Sequence, residues 1–152
     1  MIARNQLIGL IAGVVLMVAA ITGALLVGSD TPHSSPEAVV RSYLTAMYEN
    51  GDAAQYLGLI DPQALEELET EFGLGRDEIQ DWLQVFLDDM QREIAMGASI
   101  SFEIVSTERQ NGRAETLVTI TASHPMHGDD QFTDTIATVE KDGRWYLEEL
   151  RW

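Results

Sequence analysis

The spacing of apolar residues along this chain changes twice, and each change marks a boundary. Residues 7–28, LIGLIAGVVLMVAAITGALLVG, form a stretch of 22 positions without a charge. Across residues 35–96 apolar side chains return every three or four positions, the period of a helix with one buried face. From Gly97 onward they alternate, the period of a half-buried strand.

The helical part carries its own punctuation. Ser35-Pro36-Glu37 supplies an N-cap, a proline preset for the first helical position and a carboxylate for the positive dipole end. Val40, Tyr43, Leu44 and Met47 share one face, and Asn50-Gly51-Asp52 stops the helix. Asp52 caps a second short helix running through Ala54, Leu57 and Ile60. Asp61-Pro62 opens a third, with Leu65, Leu68 and Phe72 on one side, four glutamates mostly on the other, and Gly73 and Gly75 closing it. The longest helix is predicted over residues 76–96, with Ile79, Trp82, Leu83, Phe86, Met90 and Ile94 on one stripe. That stripe places Trp82 in the core.

In the alternating part, Ile100, Phe102 and Ile104 mark the first strand, and Asn111-Gly112 is a strong signal for a tight hairpin. Residues 113–123 form the next strand, 124–130 a wider turn, 132–140 a third strand, Asp142-Gly143 a tight turn and 144–152 the last strand. Strands joined in this way make a four-stranded antiparallel meander that buries one side against helices, an α+β fold.

The uncharged stretch sets the compartment. At ~1.5 Å per residue it spans roughly 33 Å as a helix, enough for a hydrocarbon core of about 30 Å. Arg4 precedes it, and the next basic residue is Arg41. Positive charge stays inside, so residues 1–6 are expected in the cytoplasm, 7–28 as a signal-anchor in the cytoplasmic membrane, 29–35 as a polar linker and 36–152 as an extracytoplasmic domain. The alternative is secretion after signal-peptide cleavage near Thr22-Gly23-Ala24. Gly9 and Gly13 have the spacing that lets two membrane helices approach closely.

Composition narrows function mainly by exclusion. The chain has 25 Asp and Glu against 9 Lys and Arg, for a net charge of −16. Residues 61–93 alone carry −9. Such a field repels nucleic acid and anionic headgroups, so no nucleic-acid partner is expected. Solubility accounts for the acidity, with cation handling or a basic partner as the alternative. The chain has no cysteine, which excludes disulfides, thiol catalysis, thiolate metal sites and a lipoprotein anchor.

Two stretches resemble a known family. SPEAVVRSYLTAMYENGDAAQYLGLI is similar to the opening of nuclear transport factor 2-like domains: a proline-started helix, an aromatic near its middle, a Gly-Asp turn and a short Ala/Leu helix. TVEKDGRWYLEELRW resembles their final hairpin. The similarity is nearest to a small bacterial lipoprotein-like branch of unassigned function, although the lipobox cysteine common there is missing. It implies a cone: helices on a strongly curved sheet, with a pocket between them. Relatives use that cone as an isomerase or dehydratase site, a ligand pocket or a dimerisation surface, so the fold leaves function open.

Acid–base chemistry in a cone needs an Asp, Glu or His inside apolar walls. Asp134 alternates with Phe132 and Ile136 and so faces the apolar side, unless Thr133, Thr135 and Ala137 mark the inner face and leave it wet. Tyr43, Met47, Trp82, Phe86 and Asp134 are the pocket candidates. Tyr43, Tyr48 and Tyr56 read as core aromatics whose hydroxyls reach the rim. His124 and His127 are weak metal candidates in a solvated turn, and no cofactor is expected. His33 lies in the linker and carries no signal. Trp152 either closes the buried side of the sheet or contacts a partner. No catalytic constellation is visible, so the chain does not read as an enzyme. The sequence thus points first to a membrane-anchored module that binds another envelope protein or itself. A small-molecule or lipid pocket comes next, and a cone-site isomerase or dehydratase last.

Overall fold

The computed structural model describes residues 31–151. Helix α1 (Pro36–Leu44) starts where Ser35 Oγ accepts the Ala38 N–H at 3.1 Å. It buries Val39, Val40, Tyr43 and Leu44 and touches all four strands. The helix widens into a π-helical turn (Thr45–Asn50) that ends on Gly51. Gly51 has φ +61°, and a Cβ there would meet Gln91 Cγ at 2.7 Å, so both backbone and space call for glycine.

Asp52 caps α2 (Ala53–Leu57) by accepting the Gln55 N–H at 2.9 Å. This helix stops short of Ile60, which instead forms a parallel bridge with Leu147. Asp61 and Pro62 open α3 (Pro62–Phe72), of which Leu65 is buried and Phe72 is exposed. Lys141 Nζ reaches the Asp61 carboxylate at 2.5 Å, tying the start of α3 to the sheet.

Helix α4 (Arg76–Ala95) corrects the predicted stripe. Ile79, Leu83 and Leu87 are buried, whereas Trp82 is 54% exposed and Phe86 40%. The reason lies on the helix's other shoulder. There Gln84 donates to the Gly51 carbonyl at 2.8 Å and accepts the Ala53 N–H at 3.2 Å, while Gln91 donates to the Tyr48 carbonyl at 3.2 Å. These bonds turn that shoulder inward. At about 100° per residue, Trp82 and Phe86 then lie on the shoulder turned away.

The sheet is an antiparallel meander in the order β1-β2-β3-β4: Ser99–Gln110, Arg113–His124, Gly128–Lys141 and Arg144–Leu147. Val105 is exposed, as its alternation with Ile104 requires, and it is the unpaired residue of a register shift between Ile104 and Ser106, beyond which Thr107 comes to face inward and its Oγ1 meets Thr116 Oγ1 at 3.2 Å. Strands β2 and β3 pair as far as His124 and Gly128, so the expected wide turn is only Pro125-Met126-His127. The last strand is shorter than predicted. Leu147 gives its N–H to Leu59 and its carbonyl to the Asp61 N–H, Glu148 makes a last backbone bond to the Ala137 carbonyl of β3 at 3.1 Å, and residues 149–151 leave the ladder as a strap.

The linker is also more ordered than its composition implies. Trp145 N–H bonds the His33 carbonyl at 3.0 Å, and His33 Nδ1 lies 2.6 Å from the Trp145 carbonyl. The second contact requires a proton on Nδ1. The His33 ring also lies against Tyr146, with centroids 4.6 Å apart. Residues 31–35 thus cover the edge of β4. Among the described residues no helix is long and apolar enough to cross a membrane. The predicted span 7–28, with Gly9 and Gly13, lies outside them, as does Trp152.

Candidate functional site

The inner side of the sheet and the helical layer meet at a concavity of about 400 Å³. Its walls are Tyr43 and Leu44 from α1, Tyr48 from the π-helical turn, Ile120 and Phe132 from paired positions on β2 and β3, and Leu150 from the strap. Two independent periods bring these residues together. Even-numbered positions of β3 point inward, which settles Asp134 on the apolar side with Ile136 and Thr138. The π-helical turn shifts Tyr48 out of the α-helical row that holds Tyr43.

Asp134 is not left alone there. Arg151 Nη2 lies 2.8 Å from both of its carboxylate oxygens, and Arg151 Nη1 is 3.5 Å from Glu149 Oε1. Tyr56 holds the strap in place. Its hydroxyl donates to the Arg151 carbonyl at 2.5 Å and accepts the Arg151 N–H at 2.6 Å. The Tyr43 and Tyr56 rings are tilted against each other, 5.0 Å between centroids.

Burial pushes the Tyr43 phenol up, the neighbouring Tyr48 and Asp134 adding to it and the Arg151 guanidinium opposing it. Burial also raises Tyr56, and Tyr48 rises through burial and the Asp134 charge. All three are therefore neutral hydroxyls at neutral pH, able to give and take hydrogen bonds but not to act as bases. The site offers apolar walls, the phenols of Tyr43 and Tyr48, and the carboxylates of Asp134 and Glu149, both beside Arg151.

Two solved structures align with most of the described chain. A crystal structure titled a putative NTF2-like transpeptidase, from Campylobacter jejuni, is 16% identical with a TM-score of 0.52, covering 78% of this chain and all of that one. A designed NTF2 protein is 16% identical with a TM-score of 0.49, covering 74% of this chain and 91% of its own. The domain has a nuclear transport factor 2-like fold. No protein-family model matches the chain, and no curated protein matches it.

In this nuclear transport factor 2-like domain the candidate residues separate. Tyr43 and Asp134 line the concavity. Met47 is buried in the core and outside it, while Trp82 and Phe86 lie on the exposed shoulder of α4. His124 and His127 stack at 4.6 Å; His124 Nδ1 accepts the Met126 N–H at 3.1 Å and Nε2 faces Glu93 at 3.5 Å. Among the described residues no three His, Asp or Glu side chains converge as metal ligands.

Arg151 escaped the sequence reading. It lies beyond the last strand, and nothing in a two-residue period shows a strap folding back onto β3. Exposed Val85 was also missed, because it falls outside the buried stripe. A second concavity of about 390 Å³, at the β1–β2 hairpin, is lined largely by charged and polar side chains. Among them, Arg109 bonds Glu37 and Arg113 bonds Glu115 and Glu148.

Proposed function

We propose that this protein is a membrane-anchored binding or scaffold module, held by residues 7–28 in the cytoplasmic membrane with its nuclear transport factor 2-like domain outside the cytoplasm. Its partner is another envelope protein or a second copy. The observation that carries this reading is the exposure of Trp82, Val85 and Phe86 together on α4, while the core beneath is closed by Ile79, Leu83 and Leu87. Other large apolar side chains are exposed as well, Phe72, Met96 and Met126 among them, but these three are clustered on one helix side, and such clusters mark contact surfaces more often than solvent surfaces. The uncharged stretch supports the anchor, and the single Arg4 before it supports the orientation.

The test is crosslinking of the full-length protein in its own membrane, combined with protease access from either side. A discrete crosslinked species and a domain cut only from outside support the proposal. A domain cut only from the cytoplasmic side, or no crosslink at any reagent length, removes it.

A second reading, a small-molecule or lipid pocket, is favoured by the concavity of about 400 Å³, within the range of roughly 300–1,000 Å³ that small ligands use. The strap argues against it, since Arg151 already occupies the polar side of that space. A native mass spectrum separates the two: a retained adduct lost on denaturation moves the pocket ahead. Replacing Arg151 with alanine would then be expected to increase its occupancy. The isomerase or dehydratase reading ranks last, because both carboxylates at the concavity, Asp134 and Glu149, lie beside Arg151 and the phenols stay protonated.

A further inference from the structure

Helix α4 exposes more than an apolar strip. Trp82 and Phe86 are four apart and Val85 lies three from Trp82, so the three share one side of the helix. Asp89 and Glu93 continue the row of Trp82 and Phe86, and Glu78 precedes it by one turn. Asp81 and Asp88 flank Val85 at four and three positions. All five carboxylates are exposed. Among the described residues Arg92 bonds Asp89, His124 Nε2 faces Glu93 at 3.5 Å, and Asp88 and Glu78 accept only neutral N–H groups, so the frame keeps a surplus of negative charge. The surface is an aromatic and aliphatic strip inside an acidic frame.

We infer that this strip docks a basic amphipathic helix of a partner protein, its apolar residues at three- and four-residue spacing against Trp82, Val85 and Phe86, and its Lys or Arg side chains against the frame. The inference rests on the binding-module reading and names the surface and the partner's chemistry. Charge complementarity selects the occupant. A second copy would set two −9 segments (residues 61–93) against each other, and like charges in contact oppose docking. This chain's own residues 7–28 hold no charge and would leave the frame unanswered. A basic amphipathic helix satisfies both strip and frame, by the helix-against-apolar-surface mode of recognition.

The probe is a dye-labelled synthetic helix of about 18 residues, Leu on one side and Lys on the other, titrated into the full-length protein in nonionic detergent against empty micelles. A control peptide carries Glu in place of Lys. The basic peptide is expected to bind and the acidic one not. Its affinity should fall at least about tenfold as salt rises from roughly 50 to 300 mM, because the contacts are charged and at the surface. The decisive variant is Val85→Asp, at a position 64% exposed and outside the packed core. It removes apolar contact while adding negative charge. Docking on the strip predicts at least about tenfold weaker binding at an unchanged melting temperature.

Equal or tighter binding by Val85→Asp would mean plain electrostatic adhesion and overturn the inference, as would no binding by the wild-type protein. A dimer that salt strengthens and Val85→Asp dissolves would make the occupant a second copy and overturn it too. If Val85→Asp keeps the crosslinks formed in the membrane, the module reading stands and only this surface is wrong. If wild-type protein gives none, the module reading has failed by itself.

Discussion

Helices α1 and α4 do opposite things with their apolar residues. Helix α1 lies across the sheet, touches every strand and leaves Val39, Val40 and Leu44 fully buried. Helix α4 is about twice as long, meets mainly α2 and the π-helical turn, and buries Ile79, Leu83 and Leu87 while Trp82, Val85 and Phe86 remain outside. A sheet offers a broad apolar floor that can take a whole helix face. A neighbouring helix offers a ridge, which covers one narrow row. What α4 leaves exposed to solvent is thus a consequence of where it sits, and it is the surface to which the proposal assigns a partner.

The sharpest way to break this comparison is to cut one buried side chain from each helix. Leu44→Ala and Leu83→Ala should each cost about 2–5 kcal/mol, since both positions are fully buried. Chemical denaturation measures this directly. A negligible cost at Leu83 would mean that α4 is only loosely held. Next in size is Gly51→Ala, at the joint where Gln84 and Gln91 fix the roll of α4. A left-handed φ combined with the close approach of Gln91 should cost about 2 kcal/mol. It should also raise hydrogen exchange in α4 more than in α1; equal protection would remove Gly51 as the docking joint.

The phenols on the α1 side give a pH signature that α4 lacks. Tyr43 and Tyr56 are held above the ordinary phenol value of about 10, mainly by burial. Above that value the unfolded chain loses protons that the folded chain keeps. Their contribution is therefore fully present below pH ~10 and is lost as pH rises, by about 1.4 kcal/mol per phenol for each unit above it. Melting curves from pH 8 to 11 should show the decline, and Tyr43→Phe should flatten it. A flat profile in the unmodified protein would put both hydroxyls in contact with water.

The order of helices and strands was legible because caps, turns and periods are local: Ser35-Pro36, Asp61-Pro62, Asn111-Gly112 and Asp142-Gly143 all sit at element boundaries. The alternation of β3 left two faces open for Asp134, and the structure chose the apolar one. What stayed hidden depends on partners far along the chain. Arg151 is 17 residues from Asp134, His33 is 112 from Trp145, and Leu147 bonds Leu59 and Asp61 on the side of β4 turned away from β3. Nor can a helical period say how the helix is rolled. Trp82 and Leu83 are adjacent and equally apolar, and the side-chain bonds of Gln84 and Gln91 decide which one is buried.

Trp82 therefore supplies the finest test of that roll. A core tryptophan cut to alanine costs about 3–5 kcal/mol, but one that is half in solvent gives up much less buried surface. Trp82→Ala is expected to destabilise the domain by about 1 kcal/mol, close to the resolution of a denaturation curve. The companion change, Gln84→Ala, removes the bonds to Gly51 and Ala53 that hold the opposite shoulder inward. If those bonds set the roll, the emission of Trp82 should shift to the blue in Gln84→Ala, as the helix becomes free to turn the indole toward the core. The other tryptophans are first replaced by phenylalanine so that Trp82 alone reports. An unchanged emission would mean that Leu83 and Leu87 fix the roll by themselves, with the glutamines merely filling hydrogen bonds at its edge.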